Sequence, residues 1–344
     1  LGFNSRDADE MEARDVAIVG ATGMVGQEFI RVLEQRNFPM TSVKLFASDR
    51  SHGRKMKVCG EELEVKETTP DSFKGIDIAL FSAGADISKQ FSPIAARTGA
   101  VVVDNSAAFR MDPEVPLVVP EINPEDIKKH KGIIANPNCS TIQMVVALYP
   151  LHKVNPIKRI TVATYQSVSG TGLAAVDELI SQAKVVLEGG KAAPKVYPYQ
   201  IAFNVLPEID VFLENGYTKE EWKLVEETHK IMHAPEIAIS ATCVRVPVKI
   251  GHSEAVQVEF SRPMSPDEAR SILSKAPGVT LMDDPSKRVY PYPAMAAGQD
   301  DVYVGRIRKD ASHPNGLVLW VVSDNIRKGA ALNAVQIAEK LVGK

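Results

Sequence analysis

The chain is predicted to be an α/β protein of two domains. The first carries a doubly wound parallel sheet. The second is α+β, built on a mixed or antiparallel sheet. Three observations predict this. Short apolar strands alternate with helical stretches up to residue 138. A glycine-rich turn joins the first strand to the first helix. Beyond Cys139 the strands lengthen and become half-polar. At 344 residues the chain is long enough for two full cores.

Val16, Ile18 and Val19 form the first strand, which ends in Gly20-Ala21-Thr22-Gly23-Met24-Val25-Gly26. Val25, Phe29, Val32 and Leu33 then mark one face of a helix that stops near Pro39. Val43–Ser48, Ile76–Phe81 and Val101–Asp104 read as further strands, with a helix from Ile87 to Thr98 between the last two. Strands this apolar are buried on both faces, which gives a Rossmann-type parallel sheet over residues 14–138. Ile133-Ile134-Ala135 is its last strand, followed by the turn formers Asn136-Pro137-Asn138. Cys139 then heads a helix, because Ile142, Val145, Val146 and Tyr149 recur at helical spacing and Pro150 closes the run.

The strands at Arg159–Val168, Ala238–Val248, Glu254–Phe260 and Leu317–Val322 alternate polar and apolar, so one face of their sheet is covered. Helices are expected at Leu173–Leu187, Lys219–Met232 and Pro266–Lys275. Residues 139–324 thus form the second domain. A final helix from Arg327 carries Ala331, Val335, Ala338 and Val342 on one stripe, and residues 325–344 pack back onto the first domain. Gly189–Pro207 has no period and reads as an interface or lid loop. Residues 1–13 are polar and aperiodic; they read as an appended leader, with Met11 as the native start.

A composition of 44% hydrophobic and 24% charged residues is that of an ordinary globular protein. The net charge of −3, without a long basic block, gives no reason to invoke nucleic acid. Three cysteines, with no CxxC and no paired spacing, argue against zinc and for a reducing compartment. No apolar run reaches membrane-spanning length. A cytoplasmic protein follows, with a processed organellar form as the alternative.

Two constellations carry chemistry. A thiol at a helix head faces the positive end of the helix dipole and unpaired N–H groups, which would lower the pKa of Cys139 and provide oxyanion donors. The alternative is a buried structural cysteine. Gly20, Gly23 and Gly26, between strand and helix, suit the close approach of a dinucleotide pyrophosphate, with Thr22, Met24 and Val25 beside it. Ser48, Arg50 and Ser51 after the second strand suit a ribose 2′-phosphate, hence NADP over NAD. A solvated surface loop is the alternative, and Asp49 would repel a phosphate if it pointed inward.

Gly20–Gly26, Asp104-Asn105-Ser106-Ala107-Ala108-Phe109-Arg110 and Asn136–Thr141 together resemble aspartate-semialdehyde dehydrogenases. Gln166–Gly172, Glu220–Lys223, Arg245–Val248 and Gly251-His252-Ser253 extend the match, in family order, over essentially the whole chain from Val16. The resemblance implies reduction of aspartyl 4-phosphate by NADPH to aspartate 4-semialdehyde and inorganic phosphate, through a thioester on Cys139. This reaction lies on the way to lysine, threonine and methionine. It further implies His252 as acid/base and Gln166 as the amide that orients substrate. Arg245 would grip the α-carboxylate, and Glu220, with Asn138, would complete the substrate site. Arg110 and Lys223 would bind phosphate, and Ser169, Gly170 and Asn325 would contact the nicotinamide side. The partners implied are the small-molecule substrate and phosphate, in a homodimer or homotetramer. Cys59 and Cys243 receive no role, although Cys243 shares a strand face with Arg245.

The nearest rival is an N-acetyl-glutamyl-phosphate reductase, whose nucleophile segment has Gly at the place of Asn138 and Tyr-Pro after the cysteine. A catalytically dead nucleotide-binding regulator is the rival from another class. It would need the glycine turn but no thiol.

Overall fold

The computed structural model describes residues 13–344; residues 1–12 of the leader, Met11 among them, lie outside the described residues. The strands are β1 (Arg14–Val19), β2 (Met40–Ala47), β3 (Lys55–Val58), β4 (Glu61–Glu67), β5 (Ile78–Phe81), β6 (Val101–Asp104) and β7 (Ile133–Ala135), then β8 (Ile157–Gln166), β9 (Ala238–Arg245), β10 (His252–Phe260), β11 (Val279–Leu281), β12 (Val302–Lys309) and β13 (Gly316–Ser323). The helices are α1 (Met24–Gln35), α2 (Ala85–Arg97), α3 (Cys139–Val154), α4 (Leu173–Leu187), α5 (Lys219–Met232), α6 (Pro266–Leu273), α7 (Pro293–Ala296) and α8 (Leu332–Leu341).

The first sheet has the order β3-β4-β2-β1-β5-β6-β7. It is parallel except for β3, which pairs antiparallel with β4 at the edge. The chain winds outward in both directions from β1, so a crevice opens between the carboxyl ends of β1 and β5, where open α/β sheets bind ligands. The second sheet, β11-β12-β13-β10-β8-β9, is mixed: β8 and β9 run parallel and β10 runs antiparallel to β8 and β13. The expected two-domain α/β class is therefore the observed one.

Helix α3 is buried along most of its length, from Ser140 through Leu148 to Leu151, because it lies between the second sheet and its neighbouring helices. Pro150 does not close it. The helix runs on to Val154, with the buried Leu148 and Leu151 on either side holding the last turn in the core. The chain ends in a helix that lies against the first sheet and α1. Arg327–Ala331 is a π-helical turn that continues into α8. The stripe of Ala331, Val335, Ala338 and Val342 packs with Val16, Phe29 and Leu33 in one apolar cluster. Residues 189–207 form no helix or strand, as their lack of period predicts, and the irregular stretch runs on to 218. The β3–β4 hairpin and β12 were not foreseen.

Candidate active site

The strand ends of the two sheets meet at the site. From the first sheet, β1, β5, β6 and β7 deliver Gly20, Ser82, Asn105 and Asn136 at their carboxyl ends. From the second, β8 and β9 end in Gln166 and Arg245, which are direct register partners, while β10 begins with His252 opposite the last residue of β13, Ser323. All four of these residues therefore lie at one end of the mixed sheet.

Asn138 caps α3: its Oδ1 accepts from the N–H groups of Ser140 at 3.0 Å and Thr141 at 3.2 Å. The cap puts Cys139 at the helix head, as read from the sequence. Two of the N–H groups foreseen as oxyanion donors are consequently spent on the Asn138 side chain. The expected lowering of the thiol pKa is also reversed. Burial, then the nearby Glu220 charge, push Cys139 up to about 12, against the pull of Arg110 and Arg245. The residue is partly open to the pocket, yet protein atoms crowd the thiol, and desolvation outweighs the helix dipole.

Cys139 lines a cavity of about 400 Å³ together with Asn138, Gln166, Glu220, Lys223 and Arg245, and with Arg110, Ser169, Gly170, Asn325 and Val25 around its edge. The spacing of Glu220 and Lys223 on α5 puts both on the face turned to this cavity. Glu220 accepts from Asn138 Nδ2 at 2.8 Å and Gln166 Nε2 at 3.1 Å, and pairs with Lys223 at 3.0 Å. Burial works against its charge, but Lys223 and these hydrogen bonds prevail and hold the carboxyl down at about 2. Lys223 also meets Asp210 at 2.9 Å. Arg245 donates through Nη1 to the Ser167 carbonyl at 2.7 Å, while its Nε is buried without a partner.

Sequence reasoning missed Glu227. Fully buried on α5, it accepts from Arg110 Nη1 at 3.0 Å and from the backbone N–H of Asn138 at 2.6 Å. One carboxylate thus fixes both a cation of the pocket and the entry to the Cys139 helix. Its position seven after Glu220, on the same helical face, was the available signal. Gly329 was also missed: a Cβ there would lie 2.8 Å from the Cys139 Cβ, so the π-helical turn forms the back wall of the thiol.

His252 does not line the cavity. It is fully buried, and its Nε2, without a partner, lies behind Gly170, where an added Cβ would stand 3.4 Å from it and 3.1 Å from Arg245 Nη1. Cys243 is buried in the core beside Thr164, and Cys59 is exposed.

A second cleft of about 410 Å³ is lined by Gly23, Met24, Val25, Ser82, Asn105, Ser169 and Gly170. It fits a dinucleotide. Gly20 takes a positive φ of 86°, and a Cβ there would meet the Ser82 carbonyl at 2.2 Å. A Cβ on Gly26 would meet the Gly20 carbonyl at 2.1 Å, so only glycine lets helix and strand approach this closely. Ser51 meets Thr22 at 3.3 Å beside this loop. Ser48 and Arg50 stand exposed at the start of a 3-10 turn after β2, outside the cleft lining.

Among the described residues, no helix is long and apolar enough to cross a membrane. Residues 15–130 match the model of the semialdehyde dehydrogenase NAD binding domain, and residues 148–328 that of the semialdehyde dehydrogenase dimerisation domain. The chain is 59% identical over 332 residues to the aspartate-semialdehyde dehydrogenase of Aquifex aeolicus, covering 95% of this chain and 97% of that one. It superposes with a TM-score of 0.94 on aspartate semialdehyde dehydrogenase II of Vibrio cholerae in complex with ASA, at 48% identity over 97% of this chain and 99% of that one. The NADP-bound enzyme of Candida albicans matches with a TM-score of 0.75 at 28% identity, over 96% and 98%. The chain belongs to the aspartate-semialdehyde dehydrogenase family.

Proposed function

We propose that this protein converts aspartyl 4-phosphate to aspartate 4-semialdehyde and phosphate, with NADPH as reductant, and that Cys139 carries the acyl group. The observation that supports this most is one cavity holding a thiol at a capped helix head, Gln166, and three cations that fit the substrate's two anionic ends. Arg245 offers a planar fork to the α-carboxylate. Arg110 spends Nε, one Nη1 proton and one Nη2 proton on Asn136, Glu227 and Asn105, which leaves two N–H groups for a phosphate. Lys223, between Glu220 and Asp210, completes the phosphate end, and Glu220 with Asn138 faces the substrate amine. Gln166 orients the reacting carbonyl.

Cys139 Sγ attacks that carbonyl, the bond from carbon to the phosphate oxygen breaks, and a thioester remains on Cys139. The glycine cleft with Ser169, Gly170 and Asn325 would hold NADPH, which would supply the hydride that reduces this thioester, and Arg50, Ser48 and Ser51 would meet its 2′-phosphate. The thiohemiacetal on Cys139 then collapses to aldehyde, with sulfur leaving as thiolate. His252 attends the oxygen through these steps.

We divide the chain into a cofactor domain at 14–138, to which 325–344 returns, and a catalytic and dimerisation domain at 139–324. Oligomerisation follows from the matched dimerisation domain. Exposed Leu187, Phe203, Val211 and Phe212 support a homodimer, or a tetramer of two such dimers. Cysteine usage supports the cytoplasm. The test is reduction of NADP by aspartate semialdehyde. It should require added phosphate, and NAD should serve far less well. Turnover without phosphate, or only with an N-acetyl-glutamyl substrate, would overturn the reading.

A further inference from the structure

Residues 189–207 have no regular structure, yet their backbone is held at three places. Helix α4 supplies two of the holds. The buried Glu178 accepts the N–H groups of Lys195 at 3.0 Å and Val196 at 2.5 Å. One turn on, the buried Gln182 accepts those of Ile201 at 2.9 Å and Ala202 at 3.2 Å, and donates to Glu178 at 3.0 Å. A carboxylate leaves water at acceptable cost only when its oxygens are met, and these three donors meet them. The third hold is on β9, where Leu206 and Arg245 exchange both backbone hydrogen bonds, at 2.8 and 3.0 Å. A surface segment that could bond to water is instead fixed by buried side chains, against its conformational entropy. It is a strap.

Between the two α4 holds stands Tyr197. Its ring packs on a small apolar cluster that includes Val168, Leu179 and Ile201. The ring centroid lies 5.8 Å from the Arg245 Cζ, with the guanidinium over its face. The hydroxyl lies 2.9 Å from Thr171 Oγ1. Tyr199, two residues on, is exposed, so the inward turn is particular to Tyr197.

Arg245 is otherwise lightly held. Among the described residues its guanidinium makes one hydrogen bond, from Nη1 to the Ser167 carbonyl at 2.7 Å, and its Nε is buried without a partner. One hydrogen bond leaves the plane free to rock about that contact. An aromatic ring against its face removes this freedom and also attracts the cation. Thr171, which meets the Tyr197 hydroxyl, lines both the substrate cavity and the glycine cleft, so the ring is fixed to the wall that the two share.

We propose that Tyr197 is a positioning residue that sets substrate specificity: its ring orients the Arg245 fork toward an α-carboxylate, and the strap held by Glu178 and Gln182 places that ring. This rests on the proposed function, in which Arg245 binds the α-carboxylate. Tyr197 is not in the lining of the substrate cavity, so it acts through Arg245. A planar fork pairs with a carboxylate through two parallel N–H groups only when the two planes agree. A guanidinium that rocks offers one N–H at a time. The benefit of the ring therefore falls on substrates that carry the carboxylate.

Steady-state kinetics with aspartate semialdehyde, and with 3-aminopropanal, which is the same aldehyde without its carboxylate, test this on the full chain. Tyr197→Leu removes the ring, and kcat/KM for aspartate semialdehyde should fall roughly tenfold. The loss with 3-aminopropanal should be far smaller. Tyr197→Phe keeps the ring and should restore most of the activity. Tyr197→Gln, ringless but suited to a half-exposed position, should reproduce the loss if the Leu variant does not fold. In an Arg245→Ala background the ring should make little difference. Nitrogen NMR of the arginine side chains, with Arg245→Lys for assignment, reads the hold on the guanidinium without turnover. Rotation about its Nε–Cζ bond should be slow in the parent and in Tyr197→Phe, and faster in the ringless variants. Unchanged kcat/KM in those variants, an equal loss with 3-aminopropanal, or an undiminished loss in the Arg245→Ala background would overturn the inference. A parent inactive with aspartate semialdehyde would refute the proposed function, whatever the NMR shows. An active parent whose Arg245 turns no more slowly than in the ringless variants would refute this inference alone.

Discussion

Glu227→Gln should damage both the fold and the chemistry, although it removes one charge and almost no volume. In the parent, one carboxylate oxygen accepts from Arg110 and the other from the Asn138 N–H. A Gln side chain has one acceptor oxygen, so its NH2 must face one of these donors. Either Arg110 loses its buried partner, or the N–H at the entry to α3 is left unpaired. A buried neutral donor without a partner costs about 1–3 kcal/mol, and breaking a buried ion pair costs roughly 3–5 kcal/mol. With Arg110 and Glu227 both enclosed by protein, the larger range applies, at about 4 kcal/mol. At roughly 2–4 °C per kcal/mol for domains of this size, the melting temperature should fall by about 8–16 °C. Because the same carboxylate sets the start of the Cys139 helix, a shift of about 1 Å there should cost roughly 100-fold in kcat. Thermal melts and steady-state kinetics at saturating phosphate measure the two effects separately. A melting temperature within about 2 °C of the parent, with an unchanged KM for phosphate, would refute the reasoning.

Gly329→Ala sets a methyl 2.8 Å from the Cys139 Cβ, and should lower kcat roughly 100-fold with little change in cofactor binding, read by fluorescence titration of NADPH. Arg245→Lys keeps the charge but loses the fork and the bond to Ser167; kcat and KM for aspartate semialdehyde should both suffer, whereas a small aldehyde without a carboxylate should be affected less. Glu220 is held at about 2 against an ordinary 4.5. Its charge therefore stabilises the fold above about pH 4.5, and that contribution, on the order of 3 kcal/mol, is lost as pH falls through about 2. Denaturant titrations of Glu220→Gln should accordingly differ most from the parent near neutrality and converge with it in acid.

The site was legible where chemistry and local pattern coincide. Asn136-Pro137-Asn138 before a periodic apolar run announces a capped helix whatever surrounds it, so Cys139 could be placed from residues alone. The glycine turn was legible for the same reason, since only glycine meets the Ser82 and Gly20 carbonyls so closely. Glu227 was not legible, because an acidic residue on a charged helix looks like a solvated one until Arg110 is brought to it from 117 residues away. Nor was the sign of the Cys139 shift: a helix head favours thiolate, and only the packed site reveals that burial and Glu220 prevail. The β4 strand, Glu61–Glu67, escaped because its exposed charges hide the pleat, and only Val65 is buried.

The π-helical turn at Arg327–Ala331 has a consequence for synthesis. The Ala330 carbonyl and the Asn333 side chain both hold Asn136, three residues before the nucleophile, and Asn333 is separated from Asn136 by 197 residues. Gly329 closes the space behind the sulfur itself. A nascent chain that has emerged only through the mixed sheet therefore holds Cys139 without its back wall and with its entry loop untethered. Nearly two hundred residues thus separate the entry loop from the side chain that tethers it, and the thiol is framed only when the last of them has folded. A chain shortened before this helix should therefore frame the dinucleotide less well and turn over no aspartate semialdehyde, because the wall and the tether of Cys139 go together.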